Sequence, residues 1–157
     1  LGLKAPRLQP EGAAAEEPAY LADRCRLPRP RLALAPLLRD IAHASIDVSD
    51  GLVADLGHVC AVSSVGAAIE ATATPLSPAA RRLVSGQPAL LPGMLGAGDD
   101  YEILFTASNE NRGGIENLAA QLGFALTRLG RIVAGSAVSV LRFGAPLAVE
   151  RAGYRHF

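Results

Sequence analysis

A short acidic turn, Asp47-Val48-Ser49-Asp50-Gly51, most constrains the fold of this chain because it joins a short apolar segment to a strongly periodic helix. In an extended segment alternate side chains share a face, so we expect Asp47 and Ser49 to point the same way. Asp50-Gly51 is typical of a tight turn, and the side chain of Ser49 or Asp50 is free to cap the following helix. The pattern therefore predicts two carboxylates and a hydroxyl at a helix start, where backbone N–H groups point outward.

Two interpretations of this first acidic turn (residues 47–51) are open. Carboxylate and hydroxyl oxygens are hard ligands that suit Mg²⁺, which usually takes one or two protein carboxylates together with substrate phosphates. In the structural alternative, a strand simply ends in an Asx turn that caps a helix. The spacing alone favours the structural alternative.

Composition limits the classes of protein to which the chain can belong. At 157 residues it is about one domain long, and since half of the residues are hydrophobic but only 4% are aromatic, Ala, Leu and Val must fill the core. The net charge of +0 argues against a general nucleic-acid or acidic-surface binder. No apolar run approaches the roughly 18 residues of a membrane span. Cys25 and Cys60 fit no CxxC motif, so we expect reduced thiols in a cytoplasmic protein.

Apolar periodicity and turn residues predict helices interleaved with strands, of which the helix from Leu52 is the clearest. On that helix Asp55 and His58 are expected on the polar side; His58 is either a ligand or, the interpretation that is favoured, a solvent-facing histidine. The interleaving predicts an α+β fold, a layered α/β sandwich with a mixed sheet. The expected elements are a helix over residues 32–41, a helix over 52–62 with Gly66 after it, a strand over 67–71, a short helix over 79–84, a loop over 85–98, a buried strand over 101–106, a helix over 109–122 that stops at Gly123, and strands over 125–133 and 136–143 joined as a hairpin near Ala134-Gly135.

Residues 1–31 have a different character, being rich in Pro, Ala and Glu without a strand pattern. A helix over residues 11–25 is expected, with Pro18 either breaking it or starting a second one. Four arginines cluster near the end of residues 1–31: Arg24, Arg26, Arg29 and Arg31. They could contact phosphate, but a solvated linker is favoured.

A second acidic turn (residues 96–102, Gly-Ala-Gly-Asp-Asp-Tyr-Glu) is the other candidate site. Its glycines allow the backbone to approach a ligand closely, and successive residues of an extended segment point to opposite faces. Asp99 and Asp100 are therefore expected to have different roles. The alternative is a glycine-rich turn that happens to be acidic. Two such turns in one chain weaken that alternative, because paired carboxylate clusters at element ends are typical of Mg²⁺-nucleotide chemistry.

Three motifs resemble those of the thiamine-monophosphate kinase family. Residues 46–52, followed by Asp-Leu-Gly-His at 55–58, resemble its second-domain signature. Gly-Asp-Asp-Tyr-Glu-Ile at 98–103 resembles its Gly-Glu-Asp-Tyr-Glu-Leu motif, and Gly-Tyr-Arg-His-Phe at 153–157 resembles its C-terminal signature. The first motif is shared in looser form across the aminoimidazole-ribonucleotide-synthetase-like superfamily. The three together, in matching order over residues 25–157, point more narrowly to the kinase.

The resemblance implies a C-terminal α/β domain whose partner, an N-terminal ATP-binding domain, precedes it, supplies further acidic Mg²⁺ ligands and forms a homodimer. Residues 1–31 would be the segment left from the junction with that domain, and residues 32–157 would be the C-terminal domain. The expected activity is ATP-dependent phosphorylation of thiamine monophosphate to thiamine diphosphate in the cytoplasm. The isolated chain is expected to be inactive.

The resemblance also implies roles for individual residues. Asp47 and Asp50 would ligate Mg²⁺, and Ser49 would contact ATP. Asp99 stands where the family has a glutamate that contacts the substrate. Tyr154 stands where the family has an aromatic residue against the thiamine moiety, whose cationic ring suits a tyrosine face.

Two other functions are weighed against this one. The chain could belong to another ATP-dependent enzyme of the superfamily, such as a ring-closing synthetase or a selenium or hydrogenase maturation factor. It could also be a non-catalytic nucleotide-binding module that keeps the fold without turnover. The second and third motifs argue against the former, and the intact carboxylates of the first acidic turn argue against the latter.

Overall fold

The fold is built from both helices and strands, which are interleaved along the chain. The structure is a computed structural model, and it describes residues 16–149 and residue 153. Within those residues it contains helices α1 (Glu16–Arg26), α2 (Ala35–Leu38), α3 (Leu52–Ser63), α4 (Pro78–Gly86), α5 (Leu90–Leu95) and α6 (Arg112–Leu122), and strands β1 (Ala42–Asp47), β2 (Gly66–Glu70), β3 (Ile103–Ala107), β4 (Gly130–Val133), β5 (Val138–Arg142) and β6 (Ala145–Pro146). None of the described helices is both long and apolar enough to cross a membrane.

The strands form two sheets. Strands β1 and β3 make an antiparallel pair, while the other sheet has the order β4-β2-β5-β6. In that sheet β2 is antiparallel to β4 and parallel to β5, so the sheet is mixed. The predicted α+β class with a mixed sheet is confirmed.

The predicted hairpin between the last long strands is wrong. Strands β4 and β5 pair with opposite edges of β2 rather than with each other. The connection between them crosses the end of β2, where the Ala67 N–H donates to the Ala137 carbonyl at 3.0 Å. Ala67 and Ile69 of β2 are buried. A strand in the middle of a sheet is better protected from solvent than an edge strand, so β2 suits the central position.

The main core lies between α3 and the mixed sheet. Leucine, valine and alanine fill most of it, as the low aromatic content requires. Its buried members include Leu52, Leu56 and Cys60 from α3, Ile69 from β2, Val140 from β5, and Leu91 and Leu95 from α5. A smaller cluster joins Leu21 of α1 to Ala79, Ala80 and Leu83 of α4. Helix α1 is thus packed on the fold by its apolar side.

Several elements differ from their predicted bounds. Helix α5 lies inside the stretch expected to be a loop, because Leu91 and Leu95 form a buried pair one turn apart that outweighs the neighbouring Gly and Pro. Helix α2 has four residues instead of ten, since only Leu34 and Leu38 of its leucines are buried. Strand β3 begins later than expected, and its residues are only partly buried.

Helix ends were predicted with mixed success. Gly123 ends α6 in a left-handed conformation with φ 68°, as expected. Ser64, with φ 55°, ends α3, whereas Gly66 is the first residue of β2. The helix expected from Leu52 is confirmed, and so is the solvent exposure of His58 on it.

Glu70, at the end of β2, holds the turn between β5 and β6. Its carboxylate accepts hydrogen bonds from the N–H groups of Phe143 (3.0 Å) and Gly144 (3.2 Å), both of which have positive φ. It also accepts one from the Thr72 hydroxyl at 2.8 Å. The bond from Thr72, followed by those from the turn, lowers the pKa of Glu70 below its usual 4.5.

We expect Glu70→Gln to lower the melting temperature near neutral pH, because the amide replaces charge-assisted acceptors with weaker ones. A lowered folded-state pKa contributes stability that is present above the unfolded-state pKa and lost as pH falls through the folded one. The difference between wild type and variant should therefore shrink as pH is lowered below 4.5. Thermal melts across that range measure it, with the exposed Glu116→Gln as control. A difference independent of pH would contradict the role of the charge.

Candidate functional site

The first acidic turn leaves the end of β1 and enters α3. Asp47 is the last residue of β1 and is exposed, Val48 is buried, and Ser49 and Asp50 are half-buried. Gly51 occupies the position before the helix, with φ 126°, and no side chain caps α3. The expectation that Ser49 or Asp50 would cap the helix is therefore wrong, and a different residue organises the turn.

That residue is Asp55, one turn into α3. Its side chain is 2% exposed, and its Oδ2 accepts hydrogen bonds from three consecutive N–H groups, those of Ser49 (3.0 Å), Asp50 (3.1 Å) and Gly51 (3.1 Å). The prediction that Asp55 lies on the polar side of the helix is corrected: it points inward to collect these donors. The three N–H groups are therefore bound by the protein itself, and neither Ser49 nor Asp50 caps α3 with its side chain.

The second acidic turn lies directly against the first. The N–H groups of Asp99 and Tyr101 donate to the carbonyls of Ser49 and Val48, each at 2.9 Å. In the other direction the Val48 N–H donates to the Glu102 carbonyl at 2.8 Å. These bonds extend the β1–β3 pairing beyond its last regular pair, Asp47 with Ile103. Two turns far apart in sequence thus form one acidic surface.

The backbone of the second turn is strained. Asp99 (φ 67°) and Tyr101 (φ 51°) both lie in the left-handed region although neither is glycine. Such residues cost of order 1–3 kcal/mol each, and they persist where surrounding contacts hold them. The alternation that would have placed Asp99 and Asp100 on opposite faces of a regular strand does not apply, because the strand begins only at Ile103.

Two glycines allow the motifs to meet. A Cβ on Gly98 would overlap the carbonyl oxygen of Ser49, so only glycine fits between the two turns. A Cβ on Gly153 would overlap the side chain of Ala54 and lie 2.9 Å from the carbonyl oxygen of Asp50. The start of the C-terminal motif therefore lies against the first acidic turn. Tyr154, predicted to contact substrate, falls outside the described residues.

The two turns concentrate acidic side chains. Four aspartates lie in the two turns: Asp47, Asp50, Asp99 and Asp100. Asp100 is exposed as a residue, yet partial desolvation of its carboxylate, followed by the nearby charges of Glu102 and Asp99, raises its pKa to about 6. A positive charge placed near such a carboxyl group would favour its ionised form and lower its pKa.

The donor set suits a divalent cation. Ligand atoms of Asp50, Asp55 and His58 lie within 4.8 Å of one another. Oxygen donors are what Mg²⁺ prefers, whereas an imidazole nitrogen suits softer transition metals. Because Oδ2 of Asp55 already accepts three hydrogen bonds, Asp50 is the more available carboxylate of the group. Of the two residues predicted to hold Mg²⁺, this group contains Asp50 but not Asp47.

The arginines of the predicted linker are not uniformly solvated. Arg31 makes two hydrogen bonds of 2.7 Å to the carboxylate of Glu102, and Arg24 lies 4.0 Å from the same group. The linker interpretation is wrong for both. Their partner is a protein carboxylate within the second acidic turn, so this N-terminal segment contributes to the site.

Sequence reasoning missed three residues around the turns: Asp55, Arg31 and the side chain of Glu102. Asp55 had a usable signal, since a carboxylate one turn into a helix can accept from the N–H groups that precede it. The Arg31–Glu102 pair had none, because the residues are 71 positions apart. Asp47, Ser49, Asp50 and Asp99 are brought together by the turn-to-turn hydrogen bonds.

No protein-family model matches the chain. Thiamine-monophosphate kinase from Escherichia coli K12 is 38% identical over 146 residues, which are 92% of this chain and 45% of that protein. The crystal structure of the kinase from Stenotrophomonas maltophilia K279a superposes with a TM-score of 0.78 at 40% identity, over 88% of this chain and 46% of that one. AaThiL complexed with AMPPCP and TMP gives a TM-score of 0.75 at 28% identity, over 99% and 47%.

A wider fold relationship accompanies these matches. HypE from Escherichia coli, a hydrogenase maturation protein, superposes with a TM-score of 0.62 at 20% identity, over 89% of this chain and 48% of that one, which shows the shared fold alone. The chain spans less than half the length of each of these proteins. By sequence and structure together, it is a homologue of the thiamine-monophosphate kinases that corresponds to about 45% of their length.

Proposed function

We propose that this chain is the C-terminal half of an enzyme that phosphorylates thiamine monophosphate to thiamine diphosphate with ATP. The observation that carries the proposal is the convergence of three motifs in one place. The two acidic turns are joined by backbone hydrogen bonds, and Gly153 at the start of the third motif packs against Asp50. A structure of a homologous protein, AaThiL, holds AMPPCP and TMP together, which supports the same pair of ligands here.

The proposal assigns Mg²⁺ to the first acidic turn, where Asp47 and Asp50 would be its protein ligands. Both side chains are at least partly accessible, and Asp55 holds the backbone between them without using either carboxylate. Mg²⁺ held there would neutralise charge on the phosphates of ATP and of the acceptor. Ser49 lies between these aspartates in the sequence, and its hydroxyl would bind an ATP phosphate oxygen.

The remaining roles follow from how phosphoryl transfer works. The reaction requires in-line alignment and charge stabilisation more than covalent chemistry, so rigid turns are an appropriate support. Asp99, fixed by its N–H bond to Ser49, would contact the acceptor substrate. Tyr154 would pack on the cationic thiazolium ring. The N-terminal ATP-binding domain, a homodimer and a cytoplasmic location complete the proposal, as does a domain boundary near residue 31.

A phosphotransfer assay on the full-length parent protein tests the proposal. With ATP, Mg²⁺ and thiamine monophosphate, we expect thiamine diphosphate to form. Asp50→Asn should reduce its formation by roughly 100-fold or more, because an amide removes the charge that balances Mg²⁺. Asp40→Asn, an exposed carboxylate outside the two turns, is the matched control and should leave the rate unchanged.

Three results would contradict parts of the proposal. Folded wild-type protein that binds ATP yet makes no thiamine diphosphate would favour another ATP-dependent reaction of the superfamily. Full activity in Asp50→Asn would remove Asp50 from the metal site. Protein that binds nucleotide but hydrolyses and transfers nothing with any phosphorylated acceptor would favour a non-catalytic module.

A further inference from the structure

Arg31 is held more firmly than an ordinary surface arginine. Its Nε and Nη2 donate to Oε2 and Oε1 of Glu102, both at 2.7 Å, in the two-pronged geometry that guanidinium and carboxylate groups favour. On its other side the guanidinium carbon lies 4.9 Å from the ring centroid of Phe124, which follows α6. Contacts from two separate parts of the chain therefore fix this side chain.

Glu102 connects this pair to the acidic turns. Its carbonyl accepts the N–H of Val48 at 2.8 Å, while its carboxylate is bound by Arg31. The residue is thus anchored at both its backbone and its side chain. The two strained residues, Asp99 and Tyr101, lie three positions and one position before it. A strained turn needs such an anchor, because its backbone would otherwise relax.

The pair also determines what Glu102 does not do. The negative charge of Glu102 is already balanced by Arg31 through a charged hydrogen bond to each carboxylate oxygen, which makes Glu102 a weaker metal ligand than an unpaired carboxylate. The third acidic residue of the Asp-Asp-Tyr-Glu run is consequently committed to structure, while Asp99 and Asp100 remain exposed. Arg24, 4.0 Å from Oε1 of Glu102, adds a second positive charge on the same side.

We propose that Arg31 is a positioning residue for the phosphotransfer site: acting through Glu102, it holds the second acidic turn in register with the first. The inference rests on the proposed function for its catalytic consequence. Its structural consequence, the register of the turns, is independent of which reaction the site performs. The two consequences can therefore be measured separately.

The structural consequence is tested by amide hydrogen exchange on the full-length protein. Arg31→Met removes both hydrogen bonds but keeps much of the apolar bulk over Phe124. We expect faster exchange at the N–H groups of Val48, Asp99 and Tyr101, and unchanged exchange in β2 and β5. Arg112→Met, which breaks the exposed Arg112–Glu116 pair on α6, is the matched control and should change none of them.

The catalytic consequence is tested by steady-state kinetics well below the melting temperature. Arg31→Met is expected to lower kcat by roughly 100-fold with little change in KM, the effect of a small displacement of aligned groups. Arg31→Lys keeps the charge but not the two-pronged geometry, so it should fall between wild type and Arg31→Met. Glu102→Gln, nearly the same shape as wild type, should act in the same direction if Arg31→Met fails to fold.

The outcomes separate this inference from the proposed function. Unchanged exchange at the three turn amides in Arg31→Met would overturn the inference. So would an active wild type whose kcat is unchanged in both Arg31→Met and Glu102→Gln. A raised KM for thiamine monophosphate at constant kcat would also overturn it, by making Arg31 a direct phosphate ligand. Wild type without phosphotransfer, but with turns that loosen in Arg31→Met, would reject the proposed function and retain the positioning role.

Discussion

Replacing Asp55 with alanine is expected to destabilise the protein by about 3–5 kcal/mol, although alanine is the better helix former. The carboxylate is buried and accepts three hydrogen bonds from consecutive backbone N–H groups of the first acidic turn. Alanine would leave those donors without an acceptor and leave a small cavity beneath the turn. Because the same turn carries Asp50, phosphotransfer should be lost together with stability.

Urea unfolding followed by circular dichroism measures the loss of stability, and the phosphotransfer assay measures the loss of activity. Glu116→Ala, which removes an exposed carboxylate from α6, is the control and should stay within about 0.5 kcal/mol of wild type. Asp55→Asn keeps one carbonyl acceptor without the charge, so it should lose about 1–2 kcal/mol. An Asp55→Ala variant as stable as wild type would show that solvent satisfies the three N–H groups.

Gly98→Ala is the second large effect, an expected destabilisation of about 3 kcal/mol with loss of activity. The added Cβ would overlap the carbonyl oxygen of Ser49 and lie 3.0 Å from its carbonyl carbon. The atoms that the new Cβ would meet belong to the backbone of Ser49 and Asp50, and they cannot rotate away as a side chain would. The turns must then separate, which breaks the hydrogen bond from Asp99 to Ser49.

The matched control is Gly114→Ala in α6, where nothing lies within 4 Å of the new Cβ. Because alanine favours a helix interior, that variant should be more stable than wild type by up to about 1 kcal/mol. Urea unfolding of both variants and the rate of phosphotransfer test the pair. Equal stability of Gly98→Ala and wild type would mean that the turns are not in contact in solution.

Local patterns predicted local structure well. The helix from Leu52 was predicted because its apolar residues repeat at helical spacing, and the stop at Gly123 because glycine tolerates a left-handed conformation. The same periodicity misassigned Asp55, since a period distinguishes apolar from polar residues but not an exposed carboxylate from one that is buried to accept backbone N–H groups.

Non-local contacts were beyond such patterns. The order β4-β2-β5 depends on which strand is best buried in the middle of the sheet. Because β4 and β5 are adjacent in sequence, they were wrongly predicted to form a hairpin. The pairing of Arg31 with Glu102 joins residues 71 positions apart that no spacing rule connects. Motif resemblance assigned roles to Asp47, Ser49, Asp50 and Asp99, and those roles remain predictions.

The central place of β2 has a consequence for how the protein is made. Ala67 pairs with Ile132 on one side and with Val138 on the other, so both partners of this strand are synthesised long after it. Such long-range pairings fold slowly because a large loop must close first. Until the last strands leave the ribosome, both hydrogen-bonding edges of β2 lack a partner strand, and unpaired edges favour association with other chains. A chain interrupted before Gly130 could not build this sheet at all.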